Sequence, residues 1–186
     1  MNVRWLLAFF LLCLPLCASA QNDRVEISGG YSYTAYSIYE LDSGPFKMFG
    51  YSGWDGSAAL KLLPHLQAEA DFTGGFATPY AGDHSHLRTY MGGPRVFGNF
   101  GPITLYGHAL FGGLNLGYQV YTFGQTSFAT AIGGGAEYWF TRHIGVRAIQ
   151  FDYLGNKNNA ANQGVTASPP GNHFRISTGV AFRFGR

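Results

Sequence analysis

Apolar and polar residues alternate along most of the chain beyond residue 20. Near its end, Phe174, Ile176, Thr178, Val180, Phe182 and Phe184 take one parity; His173, Arg175, Ser177, Gly179, Ala181 and Arg183 take the other. A β-strand sends successive side chains to opposite faces, so this segment has a greasy face and a polar, small-residue face. Val25–Tyr33 and Leu66–Thr73 repeat the pattern, the latter with Gln67, Glu69 and Asp71 on its polar parity. Trp54–Leu62, Leu87–Phe97, Ile103–Gly113, Ser127–Phe140 and Ile144–Tyr153 complete a set of eight predicted strands. Arg88 and Arg95 stand on opposite parities of the fourth. The intervening Gly92-Gly93-Pro94 is expected to host a bulge that shifts the phase, since proline cannot donate to a ladder and glycine tolerates the bend.

The connections between these runs alternate in length. Those at 34–53, 74–86, 114–126 and 154–172 are expected to be long, and those at 63–65, 98–102 and 141–143 short. Outer-membrane barrels pair tight periplasmic turns with longer outside loops, and an even strand count returns both termini to the periplasm. The expected fold is therefore all-β, an eight-stranded antiparallel up-and-down transmembrane β-barrel. A soluble barrel of lipocalin type or a secreted sandwich would alternate too, with the apolar face turned inward.

Composition favours the inverted arrangement. Charged residues make up 12% of the chain and aromatics 17%, whereas soluble domains carry about 25% charged residues. Aromatics gather near predicted strand ends, at Tyr31, Tyr33, Trp54, Phe72, Tyr138, Trp139, Phe140, Tyr153, Phe174 and Phe184, as interface girdles do.

The segment 1–20 reads as a signal peptide: Arg4, an apolar run from Trp5 to Leu16, then the small-x-small Ala18-Ser19-Ala20. A lipoprotein signal with Cys17 as the lipidated residue is disfavoured, because Leu16 occupies the position where a small residue is required. Residues 21–186 are then one barrel domain destined for the cell outer membrane. Both cysteines, Cys13 and Cys17, leave with the leader, and with them any disulfide, thiolate nucleophile or cysteine metal site. What remains has 11 Lys and Arg against 10 Asp and Glu, with no concentrated basic face to suggest nucleic acid.

The polar parity carries charge deep inside the strands. The predicted lumen set is Glu26, Asp55, Lys61, Glu69, Asp71, Arg88, Arg95, Glu137, Arg147, Arg175 and Arg183. An eight-stranded barrel is just wide enough to be filled by side chains, and a buried charge needs a partner. Pairing across strands is expected to plug the lumen; a narrow small-solute pore is the alternative.

Reactive constellations are weak. His84 and His86, beside Asp83, share a face in an extended segment, but no third metal ligand accompanies them. His108, His173, Ser177 and Glu137 are the residues a lipid A-modifying enzyme would draw on. His173 and Ser177 lie about 13 Å apart along a strand, too far for a nucleophile–base hydrogen bond. Gly29, Gly74, Gly92, Gly112 and Gly133 to Gly135 have no strand–turn–helix context for phosphate binding. No catalytic residue, cofactor or metal is expected.

Trp54-Asp55-Gly56-Ser57, Tyr90-Met91-Gly92-Gly93-Pro94-Arg95, His108-Ala109-Leu110-Phe111-Gly112-Gly113, Ala131-Ile132-Gly133-Gly134-Gly135, Gln150-Phe151-Asp152-Tyr153 and the Phe174-Arg175 to Phe182-Arg183-Phe184-Gly185 ending together resemble the small outer-membrane β-barrel family related to the OmpA-like transmembrane domain. The resemblance spans the whole mature sequence and implies a fold without implying a reaction. Two-domain relatives carry a periplasmic peptidoglycan-binding domain, which is not expected here because the sequence stops at Arg186, so cell-wall tethering is not inferred; a monomer surrounded by outer-membrane lipid and lipopolysaccharide is expected. The resemblance also implies insertion by the barrel-assembly machinery, although Phe184 is followed here by Gly185 and Arg186 where such barrels usually end on an aromatic residue. The role implied is structural or surface-interacting, through extracellular loops.

Overall fold

The computed structural model describes residues 25–38, 47–80, 83–118, 124–157 and 173–185. The leader 1–20 and most of the expected final loop, 158–172, lie outside the described residues. The alternating runs form β1 (Val25–Ile38), β2 (Lys47–Leu63), β3 (Leu66–Tyr80), β4 (Asp83–Phe100), β5 (Ile103–Tyr118), β6 (Gly124–Trp139), β7 (Ile144–Lys157) and β8 (His173–Phe184). Each strand pairs antiparallel with its sequence neighbours, and β8 closes on β1 with Val25 opposite Phe184 and Ala35 opposite Phe174. Closure leaves no free sheet edge, so every strand has two ladder partners.

Three tight turns gather at one end, between β2 and β3, β4 and β5, and β6 and β7. The Gly101-Pro102 turn uses glycine at φ 63°, a left-handed conformation costly for other residues. Thr141 Oγ1 accepts from the backbone N–H of His143 and Ile144 in the third. At the opposite end the strands run well beyond their expected limits. Three of the four long connections are much shorter than the sequence pattern indicated: β3 continues to Tyr80 and β4 starts at Asp83, where a loop over 74–86 was expected. Glycine and polar residues blur the alternation there, but backbone pairing continues, as in Phe76 opposite His86.

The outward face is apolar. Ile27, Tyr31, Trp54, Phe72, Phe111, Ile132, Phe151 and Phe182 are all exposed, while the polar parity is buried inside. This inversion of a soluble protein is the arrangement that lipid stabilises.

β4 differs from expectation. Its register with β3 is continuous from Gln67–Arg95 to Ala77–Ser85, with no bulge at Gly92–Pro94. Arg88 therefore faces outward and is exposed, and does not belong to the lumen set. The shift lies in β7 instead, where Arg147 pairs with Gly179 and Gln150 with Ser177. The extra residue lets both Arg147 and Gln150 face inward and turns Asp152 inward as well.

Candidate functional site: the barrel lumen

The lumen is layered. Toward the turn end, each polar-parity charge arrives from a different strand, which the closed sheet brings within reach of the others. Arg95 on β4 donates from its two terminal nitrogens to Glu26 Oε1 at 2.7 Å and Glu137 Oε1 at 2.9 Å. Arg183 on β8 reaches the other Glu26 oxygen at 3.0 Å and Thr104 Oγ1 at 3.1 Å. Arg147 bridges Asp55 at 3.3 Å and the Ser57 hydroxyl at 3.0 Å, and lies 3.6 Å from Glu137. The Arg95 guanidinium also stacks 3.8 Å from the centre of the Tyr106 ring, and that of Arg183 lies 3.6 Å from the Trp139 ring.

A second knot sits just above. Arg175, fully buried, donates to Asp71 Oδ1 at 2.7 Å and, from Nε and a terminal nitrogen, to Asp152 Oδ2 at 2.8 and 2.6 Å. His108 bridges Glu69 at 2.8 Å and Asp152 at 2.7 Å through its two ring nitrogens. Gln150 donates to Asp152 at 2.8 Å and accepts the Tyr106 hydroxyl at 2.7 Å. Six carboxylates thus face four guanidiniums and one imidazole among the described residues. Such geometry offsets the desolvation of each ion only while the partners stay in place.

The layer toward the opposite end is largely apolar, with the hydroxyls of Thr73, Ser85, Thr89 and Ser127 interspersed. Leu87, Met91, Leu110, Leu114, Ala129, Ala131 and Leu154 pack into one buried cluster with Tyr36 and Tyr51. The His173 ring stacks on Tyr36 at 3.9 Å, Tyr36 meets Tyr51 edge-on at 6.4 Å, and the Tyr51 hydroxyl bonds Ser85 at 3.0 Å.

Of the residues predicted from sequence, Glu26, Asp55, Glu69, Asp71, Arg95, Glu137, Arg147, Arg175 and Arg183 converge here. Lys61 stays at the turn-end rim, its ammonium 5.8 Å from the Phe97 ring centre, and Arg88 is outside. Asp152, His108, Tyr106 and Gln150 complete the network and were absent from the predicted set. For Asp152 and Gln150 the signal was readable: Ile144 and Val146 are apolar on one parity, Ile149, Phe151 and Tyr153 on the other, which marks the phase change that sends Asp152 inward; Tyr106 and His108 simply share the inward parity of β5. The enzyme candidates do not assemble. His108 contacts carboxylates and the Tyr106 ring, and His173 engages Tyr36 and the backbone N–H of Ser37 at 3.0 Å, so neither histidine is bonded to a serine hydroxyl among the described residues. No group of three metal-ligating side chains occurs among the described residues.

No protein-family model matches the sequence, and no curated protein matches it. The fold does have solved counterparts. It superposes on Neisserial surface protein A with a TM-score of 0.67 and 13% identity, covering 86% of this chain and 97% of that one. Ail, the attachment invasion locus protein of Yersinia pestis, matches with a TM-score of 0.50 and 14% identity, over 87% of this chain and 99% of its own. Both are small eight-stranded outer-membrane barrels.

Proposed function

We propose that this chain is a non-enzymatic, non-conducting outer-membrane barrel that serves as a rigid carrier for its extracellular segments in surface contacts. The observation that carries this reading is the two-layer filling of the lumen. In each of β4, β5, β6 and β7 the apolar residue lies on the far side of the charge from the tight turns: Leu87 and Met91 beyond Arg95, Leu110 beyond His108, Ala131 beyond Glu137, Leu154 beyond Asp152. An ion crossing the barrel would have to dewet in one layer and break paired charges in the other, and both steps cost several kcal/mol. A rigid, closed wall suits a scaffold whose contacts are made at its mouth. The fold shared with proteins named for the surface and for attachment supports the same role. Outer-membrane lipid, lipopolysaccharide and the barrel-assembly machinery are the partners this reading requires.

Purified protein reconstituted in planar bilayers is expected to give no stepwise openings, while unboiled samples migrate differently from boiled ones on a gel. Regular unitary currents from correctly folded barrels would replace the scaffold reading with the pore alternative.

A further inference from the structure

Arg88 is the anomaly of the outer wall. All six carboxylates whose side chains are described lie in the lumen, so an outward arginine has no acidic neighbour on the wall among the described residues. Its height explains how it is tolerated. The outward residues of β4 from Phe100 to Tyr90 are Phe100, Gly98, Val96, Pro94, Gly92 and Tyr90, with the Tyr90 hydroxyl at the upper end as their one polar side-chain group. At about 3.4 Å per residue and a tilt of roughly 40°, that stretch climbs about 26 Å, the height of a barrel's apolar band. Arg88 is the next outward residue.

Its neighbours change character at the same boundary. β5 is apolar outward from Ile103 to Gly113 and then presents Asn115; β6 presents Thr126 beyond Phe128, with Thr130 the outward polar residue below it, its hydroxyl turned to the Gly155 carbonyl. Arg88 pairs with Asn115, which pairs with Thr126 and donates to its hydroxyl at 2.9 Å. On the other side Arg88 pairs with Gly74, which has no side chain because the Trp54 indole lies across it: a Cβ there would stand 2.7 Å from Nε1. Nε1 is the indole atom nearest to that position, on the strand that adjoins β4. One outward step above, the His86 ring lies against Gly117, where a Cβ would come within 2.4 Å of it.

We propose that Arg88, with His86 and the Trp54 indole, binds a phosphate on the headgroup of an anionic outer-leaflet glycolipid. The patch opens sideways from the wall at headgroup depth and is rich in donors. A planar guanidinium matches phosphate oxygens in bidentate fashion, and attraction is strong where water is thinned. The inference rests on the membrane-barrel reading above.

The test uses full-length barrels in phosphatidylcholine nanodiscs doped with bisphosphorylated lipid A or its dephosphorylated form, with retained lipid counted by native mass spectrometry. Wild-type protein is expected to retain the phosphorylated form roughly tenfold better than Arg88→Gln, as loss of a charge-assisted bond implies. Arg88→Lys should keep part of the retention, and Arg142→Gln, at the turn end, all of it. Equal retention by Arg88→Gln, equal loss in Arg142→Gln, or equal retention of the dephosphorylated lipid overturns the site. Stripping by millimolar inorganic phosphate would assign it to soluble anions and overturn the lipid assignment. Gel migration of the same samples separates the two readings: barrels that never insert refute the membrane reading, whereas inserted barrels without selectivity refute only the Arg88 site.

Discussion

Arg175 illustrates how each lumen residue is held by others far away in sequence. It touches Asp71, 104 positions distant, and Asp152, 23 positions distant. Replacing it with alanine leaves two carboxylates facing each other in a site without water access, and the expected loss is about 3–5 kcal/mol of unfolding free energy. Urea titration in detergent, read by gel migration, measures it. The double variant Arg175→Met with Asp71→Leu removes one charge of each sign and should recover a large part of that loss. A similar cycle on Arg95 and Glu26, 2.7 Å apart, should show coupling of about 1 kcal/mol or more, since both groups are buried.

Strands set which of these residues meet. β4 keeps one phase throughout, so cysteine substitutions along it should alternate in reactivity. With no other cysteine beyond residue 20, Arg88→Cys is expected to react with a water-soluble maleimide added outside cells, and Thr89→Cys to stay protected. Equal labelling of both would refute the register. β2 offers a steric test. A Cβ at Gly53 would meet the Gly74 carbonyl oxygen at 1.9 Å, whereas at Gly56 the nearest atom is 3.8 Å away. Gly53→Ala should force β2 and β3 apart at a cost of about 2 kcal/mol or more. Gly56→Ala should fall within about 0.5 kcal/mol of the parent in the same titration.

Across the whole molecule, the two lumen layers back each other up. Leu110→Ala removes part of the apolar layer, and about 2–4 kcal/mol of stability with it, yet the paired charges beneath still close the passage. Bilayers containing this variant, or Arg175→Ala alone, should remain silent. The pairs Arg95–Glu26, Arg95–Glu137 and Arg147–Asp55 do not involve Arg175, and Leu87, Met91 and Leu114 do not depend on Leu110, so both layers persist in either single variant. Conductance from either single variant would show that one layer alone holds the barrel shut.

Strand number, antiparallel order and most of the lumen charges were legible in the sequence because period-two alternation survives wherever one face meets lipid and the other a packed interior. The polar parity of β1, β3 and β8 marked Glu26, Glu69, Asp71, Arg175 and Arg183 without ambiguity. Alternation failed at Arg88 and Asp152, for one reason in each case. Arg88 has the charge of a lumen residue, but its depth beside the headgroups removes the cost of facing outward, and depth is a property of the assembled barrel. Asp152 follows a one-residue bulge whose effect was visible in the apolar residues around it. Which acid meets which base was never a local property. Closure of β8 on β1 and the slant of the ladders bring residues a hundred positions apart to within 3 Å, and only the tertiary structure decides those pairs.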